Sequence, residues 1–321
     1  MSLYDGANVV VTGGAGFIGS ALVRELVKEN AHVTVVDNLF SGKKEFLAEV
    51  MGSIDFHETD ILSPEFEKLL QRLGADYVFN LAALPYIPDS YLNPRSFFDV
   101  NSMGCLKVLL ACKEAGVERV MQYSTSEVYG TAQRTPMDEH HPLNPLSTYA
   151  VSKVAADRLC YTLHYEGEVP VIILRQFNVF GPRETHPYII PEIISQLSRT
   201  SSLRLGNVNA RRDLTYVEDA ARAAMLLMLQ KNAVGQVFNS GTGIDHSVRE
   251  MAEQIASAMG VENMRIQLDE SRLRPLDVER LQANYFKLAQ MTGWHPKTSF
   301  EHGIRKTVEW FNDNGKKWPW Q

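Results

Sequence analysis

One stretch near the N-terminus limits the fold more than any other. The β-branched run Val9-Val10-Val11-Thr12 is broken by Gly13-Gly14-Ala15-Gly16, and an amphipathic segment from Phe17 to Glu29 follows. A strand, a turn almost without side chains and a helix are the expected elements. Gly14, Gly16 and Gly19 fit G-x-G-x-x-G, and Gly13, Gly16 and Gly19 fit the wider G-x-x-G-x-x-G. Glycines here allow a tight turn, bring backbone close to a pyrophosphate and let helix pack on strand. The amides that open the helix then face the anion.

A glycine cluster alone is a weak sign. This one has the required strand before it and helix after it, and Asp37 closes the next β-branched run, about 20 residues on, as a dinucleotide fingerprint requires. A carboxylate there accepts both ribose hydroxyls and repels a 2′-phosphate, which favours NAD over NADP. The expected cofactor contacts are Gly13, Gly16, Phe17, Ile18, Gly19, Asp37 and Asn38. Asp60 and Ile61 after the third strand, and Leu81, Ala82 and Ala83 after the fourth, join them, since such sheets bind ligands at their strand ends. For Asp60 a helix-capping role before Ser63-Pro64 stands as the alternative.

The same alternation continues. Residues 32–36, 54–57, 77–80, 119–123 and 169–174 read as strands, with helical patterns such as Pro94 to Ala115 between them. Near-continuous apolar strands separated by helices predict a doubly wound parallel sheet, a Rossmann-type α/β fold. After Asn178 strands shorten (203–205, 264–267) and helices such as 248–259 and 300–314 dominate. We expect a dinucleotide-binding domain from residues 1–177 plus about 214–240, and a smaller α/β substrate-binding domain from 178–213 plus about 241–321.

A net charge of −6 argues against a general nucleic-acid binder. No apolar span reaches the ~20 residues of a membrane helix, and no signal peptide is evident. The 3 cysteines lack metal or disulfide spacing, and His140-His141 has no companion ligands, so a reducing, cytoplasmic setting and no metal are expected.

Two further segments carry chemistry. Tyr149-Ala-Val-Ser-Lys153 places a phenol and an ammonium on one helix face. An adjacent lysine favours the phenolate and brings a phenol toward the range of a useful base. Gln122-Tyr-Ser-Thr-Ser-Glu-Val-Tyr-Gly130 ends a buried strand in Ser124, Thr125, Ser126 and Glu127.

Taken in order, "TGGAGFIG", "LAA", "YSTSEVYG", "YAVSK" and "FNVFGPR" resemble the extended short-chain dehydrogenase/reductases, in particular nucleotide-sugar epimerases, dehydratases and decarboxylases. "STSEVYGTAQ", "RPLDVERL" and "MTGWHP" are most similar to UDP-N-acetylglucosamine 4,6-dehydratases. The resemblance implies Tyr149 as base, Lys153 as its partner and Ser124 or Thr125 as a hydroxyl on the sugar O4. It implies Glu127 as the group that removes the C5 proton once C4 is a ketone, with loss of the C6 hydroxyl and hydride returned to C6. Where glucose-type dehydratases carry an aspartic acid before this glutamate, the chain has Ser126, which leaves the proton donor to the departing hydroxyl open between Glu127 and its neighbours.

The resemblance further assigns Asn178 to the sugar and diphosphate, Arg212 and Arg274 to the diphosphate and Arg183 to a closing loop; paired guanidinium donors suit phosphate oxygens. Arg211 reads as a surface neighbour, and Leu84 to Asp89 as sugar-pocket lining. Residues 100–115 and 149–165 carry broad apolar faces, and the resemblance implies that such helices pair between subunits in a homodimer; burial inside one monomer is the alternative. The leading reading is NAD-dependent dehydration of a UDP-sugar. A 5,6-dehydratase returning hydride to C4, a 4-epimerase and a non-catalytic NAD-sensing module are the alternatives.

Overall fold

The computed structural model describes residues 2–167 and 169–321. Among the described residues thirteen strands occur, in the order β1 Asn8–Thr12, β2 His32–Asp37, β3 Ile54–Glu58, β4 Tyr77–Asn80, β5 Arg119–Thr125, β6 Val171–Gln176, β7 Asn178–Phe180, β8 Ser202–Leu205, β9 Arg211–Tyr216, β10 Val237–Ser240, β11 Asp245–Ser247, β12 Arg265–Leu268 and β13 Arg280–Leu281. The helices are α1 Phe17–Lys28, α2 Pro64–Leu73, α3 Ile87–Leu92, α4 Pro94–Phe98, α5 Cys105–Glu114, α6 Thr148–Gly167, α7 Ile189–Leu197, α8 Val217–Met228, α9 Val248–Ala258, α10 Phe286–Thr292 and α11 Phe300–Asp313.

Seven strands form one sheet in the order β10-β6-β5-β4-β1-β2-β3, and every pairing in it is parallel. Alternate residues of each strand supply opposite faces. Val9 and Val11, Met121 and Tyr123, Ile172 and Leu174 join the core under α1 and α8. Val10, Val120, Val171 and Ile173 join the core shared with α2, α5 and α6. This doubly wound, Rossmann-type sheet is the fold expected from the strand–helix alternation. The chain reverses direction across the sheet between β1 and β4, and the crevice at the carboxyl ends of these strands is where such folds bind ligands.

A second sheet has β9 at its centre, antiparallel to β11 and parallel to β13 and β7; β8 and β12 form a separate pair. Its own core gathers side chains of α7, α9 and α11, and the C-terminal Trp318 is sealed into it, 2% exposed and stacked on Trp320.

The expected helix from Pro94 to Ala115 differs in detail. Between α4 and α5, Asp99–Gly104 form a π-helical segment. Such a segment carries one extra residue per turn and re-aims a side chain. Here it turns Asn101 inward, where Oδ1 accepts from the Leu84 amide (2.8 Å) and Nδ2 donates to the Leu84 carbonyl (3.1 Å) and to Ser152 Oγ (3.0 Å). The loop after β4 is thereby tied to the helix that carries Tyr149 and Lys153.

Candidate active site

A cleft of about 880 Å³ runs across the carboxyl edge of the large sheet into the smaller layer. At one end lies the glycine turn. Gly13 has φ +69°, and a Cβ there would stand 2.8 Å from the Ala82 amide nitrogen; a Cβ on Gly19 would stand 2.1 Å from the Gly13 carbonyl oxygen. Both positions exclude any side chain. Gly14 instead faces Val35 and does not line the cleft, so the working register is Gly13, Gly16 and Gly19.

Asp37 stands beside this turn. Its Oδ2 accepts from the Ala15 amide (2.9 Å) and its Oδ1 from the Leu39 amide (2.8 Å). Burial raises its pKa above the ordinary aspartate value, and the two amides pull it back. Asp60 accepts from the Leu62 amide (2.7 Å) and from Asn38 Nδ2 (2.8 Å), so it closes its own turn and does not cap α2, whose N-cap position is held by Ser63 without a side-chain cap bond. Phe17, Ile18, Ile61, Leu81, Ala82 and Ala83 line the same end. A backbone bared by glycine, the start of α1 and a carboxylate fixed at the end of β2 fit a dinucleotide with a free 2′-hydroxyl.

The middle of the cleft carries the chemical groups. Tyr149 and Lys153 come from α6; Ser124, Thr125, Ser126 and Glu127 come from the end of β5 and the turn after it. Burial pushes the Tyr149 phenol up, hydrogen bonding from Thr125 pulls it down, and the Glu127 charge pushes it up further. Burial also lowers the Lys153 ammonium, which donates to the Tyr123 carbonyl at 2.5 Å. The helix spacing alone predicts that Lys153 acidifies the phenol. In the folded chain the ammonium is engaged by a backbone carbonyl, and burial, not the ammonium, dominates at the phenol and raises its pKa.

The two candidate hydroxyls separate. Ser124 Oγ donates to Asp157 Oδ2 (2.9 Å), whose carboxylate is paired with both Nε and Nη2 of Arg175 (2.9 Å each). Arg175 reaches the Tyr129 hydroxyl (2.9 Å), which donates to Asn239 Oδ1 (2.7 Å). Ser124 thus joins a buried supporting network, while Thr125 faces the phenol. Glu127 is 8% exposed, lines the cleft and makes no side-chain hydrogen bond among the described residues.

At the far end, Arg212 is buried, lies 3.7 Å from Asp277 and lines the cleft with Arg274 and Asn178. Burial lowers the Arg212 pKa, whereas Glu127 and Asp277 raise it. Arg183 departs from expectation: it adopts φ +70° and its guanidinium turns away to Glu49 at 2.7 Å, outside the cleft lining. Arg211 pairs with Asp245 and Glu250. Leu84 to Asp89 line the cleft. Tyr86 of this expected wall stacks on His186 at 5.3 Å with Tyr188 beside it; the motifs do not reveal His186 and Tyr188, or Glu184, Asn207 and Asp277. The only local signal for the aromatic group was its density of rings flanking prolines.

Residues 10–307 match the family model described as GDP-mannose 4,6 dehydratase. The chain is 32% identical over 324 residues to a dTDP-D-glucose 4,6-dehydratase of Mus musculus, covering 97% of this chain and 90% of that one. It is similar to DesIV, a dTDP-glucose 4,6-dehydratase of Streptomyces venezuelae solved with NAD bound (TM-score 0.89, 29% identity, 98% of this chain and 100% of that one). It is also similar to a UDP-N-acetylglucosamine 4-epimerase of Methanobrevibacter ruminantium M1 solved with UDP-N-acetylmuramic acid (TM-score 0.87, 32% identity, 97% and 99%). NAD is the cofactor that both the relatives and the glycine-turn end of the cleft support. With this fold, these motifs and these relatives, the chain belongs to the GDP-mannose 4,6-dehydratase family of extended short-chain dehydrogenase/reductases, whose members are NAD-dependent dehydratases, epimerases and decarboxylases of nucleotide sugars.

Proposed function

We propose that the protein is an NAD-dependent dehydratase of a UDP-hexosamine, with UDP-N-acetylglucosamine as the substrate to try first. The observation that carries this reading is Glu127: a buried carboxyl lining the cleft, close enough to Tyr149 for its charge to act on the phenol. Exchange of configuration at C4 needs one acid–base group at O4, whereas elimination across C5 and C6 needs a second.

Bound NAD supplies a reversible hydride acceptor and, when oxidised, a positive charge in the cleft. The residues then divide the proton work. Thr125 orients the 4-hydroxyl, and Tyr149, ionised under the positive charge that the oxidised cofactor would bring to the cleft, takes its proton as C4 is oxidised. Lys153, fixed on the Tyr123 carbonyl, supplies the positive charge of α6 toward that end of the cleft. The new C4 ketone acidifies C5, and Glu127 takes the C5 proton while the C6 oxygen leaves as water. The proton gained from C5 goes to the departing oxygen, so Glu127 serves as base and acid in turn, with the Ser126 hydroxyl beside it. The hydride taken from C4 is returned to C6, C5 regains a proton from solvent through Glu127, and Tyr149 releases the O4 proton to solvent. Arg212 and Arg274 hold the diphosphate, and Asn178 bridges diphosphate and sugar.

Exposed apolar side chains on α4 to α6, among them Phe98, Met103, Leu110, Val151 and Tyr165, support a homodimer through this face. Light scattering on the eluted protein reads the dimer directly.

The experiment for the reaction is incubation of the NAD-loaded protein with UDP-glucose, UDP-N-acetylglucosamine, dTDP-glucose and GDP-mannose, followed by product mass and proton spectra. Loss of one water supports dehydration, and the spectrum separates a 4-keto-6-deoxy product from a 5,6-ene. An unchanged mass with inverted C4 makes the protein an epimerase, and loss of carbon dioxide from a uronate makes it a decarboxylase.

A further inference from the structure

Glu184 stands apart from the other carboxyls of the cleft. It is 2% exposed, it lines the cleft, and its Oε2 is enclosed with no protein hydrogen-bond partner. Asp213 shows the usual treatment of such a group. Equally buried, it accepts from the Thr242 amide (2.8 Å) and hydroxyl (2.7 Å), the Gly243 amide (2.8 Å) and the Ala283 amide (3.0 Å). A buried polar group left unpaired loses its hydration without compensation, so an unpaired one calls for an explanation in function.

The backbone delivers this carboxyl deliberately. Arg183 occupies the left-handed region, which is strained for a residue with a Cβ. Its guanidinium is anchored on Glu49, outside the cleft, and the next side chain faces in. Strained residues of this kind gather at ligand-binding positions.

The surroundings select the ligand chemistry. Burial alone raises the Glu184 pKa, and no described cation offsets it, which favours the uncharged acid, with one O–H donor and one carbonyl acceptor. A neutral acid has no repulsion with the diphosphate but also no attraction to it. Tyr188 places Glu184 along the cleft: after burial, the groups acting on its phenol are Tyr149, Glu184, Tyr86 and Arg274 in that order. That neighbourhood is the chemical centre and the Leu84–Asp89 wall, away from the glycine turn.

We propose that Glu184 is a sugar-recognition residue, its carboxyl hydrogen-bonding an uncharged oxygen of the hexose and so setting the preference for a nucleotide sugar over the bare nucleotide. This rests on the nucleotide-sugar reading of the cleft and is independent of whether the sugar is then dehydrated.

Calorimetric titration of the NAD-loaded protein with UDP-N-acetylglucosamine, UDP-glucose and UDP tests it. The wild type binds at least one of the two sugars more tightly than UDP. Glu184→Ala lowers that preference about tenfold, the size of one hydrogen bond to a buried group, with the affinities for UDP and NAD unchanged. Glu184→Gln, which keeps a donor and an acceptor, retains the preference within about threefold. Should the alanine variant fail to fold, the pH profile decides: the wild-type preference falls toward alkaline pH as the carboxyl ionises, and the Glu184→Gln preference stays flat. Equal losses for Gln and Ala, an unchanged preference in Ala, a loss shared by UDP or NAD, or a wild type indifferent to the sugar each overturn the proposal. Failure of the dehydratase reading registers elsewhere, in product mass.

Discussion

At the glycine-turn end of the cleft, Asp37 and Asp60 each already accept two hydrogen bonds from the protein. At the sugar end, Asn178 Oδ1 and Glu184 Oε2 are buried without a protein partner, and Glu127 makes no side-chain hydrogen bond among the described residues. The first end is satisfied before any ligand arrives and presents mainly backbone. The second holds side chains whose hydrogen-bonding capacity only a ligand can use. A cofactor common to a whole family suits the first construction, because its shape never changes. A substrate that differs between members suits the second, because side chains on loops can be exchanged without disturbing the sheet.

If the two ends are separable, their variants fail differently. The largest effect is expected for Tyr149→Phe: turnover falls by about 10²- to 10⁴-fold, the usual worth of a positioned acid–base group, while calorimetry finds NAD affinity within about threefold of the wild type. Loss of NAD binding in step with turnover would break the comparison.

Gly19→Ala attacks the other end. Its Cβ would meet the Gly13 carbonyl at 2.1 Å, and overpacking of this kind costs about 1–3 kcal/mol. NAD affinity should fall at least tenfold, with a lower melting temperature, and UDP affinity should hold. Asp37→Asn is milder. It keeps the shape but removes the charge that favours free ribose hydroxyls, so NAD affinity falls about tenfold, as for a charge-assisted hydrogen bond. NADP binding, measured in parallel, gains relative to NAD.

The smallest effect concerns stability. Because folded Glu184 keeps its proton to higher pH than the unfolded chain does, the unfolded state binds fewer protons above the ordinary glutamate pKa, and stability falls as pH rises from there. Glu184→Gln removes that slope. Its melting temperature should exceed the wild-type value by more at pH 8 than at pH 5, and an equal difference at both would contradict a buried acid at this position.

What the sequence discloses follows the same division. The glycine turn, Asp37, the Ser124–Glu127 stretch and the Tyr149–Lys153 pair each lie within a few residues of chain, where local geometry dictates the outcome. Most of the sheet is legible because its central strands, buried on both faces, need near-continuous apolar runs, whereas the edge strands β3, half-exposed, and β10, half polar, carry no such run. The sugar end is assembled from four distant loops, and no spacing rule joins Tyr86 to Tyr188 or Asn207 to Asp277. Arg183 shows the hazard: a cation looks suited to phosphate, yet a left-handed backbone turns it out to Glu49 and brings in its neighbour instead. The π-helical segment at Asp99–Gly104 is hidden for another reason, since one extra residue barely disturbs a helical apolar pattern.

The account stands on Glu127 as the group that moves the C5 proton. The direct measurement is proton exchange at C5 of UDP-N-acetylglucosamine, or of whichever sugar nucleotide the mass assay shows to react, in deuterium oxide with the NAD-loaded protein. The wild type should place deuterium at C5 or lose that proton to solvent during turnover. Glu127→Gln should bind the same sugar nucleotide within about threefold, reduce the cofactor transiently and show no exchange. Exchange at the wild-type rate in Glu127→Gln would assign the C5 proton to another residue and contradict the mechanism.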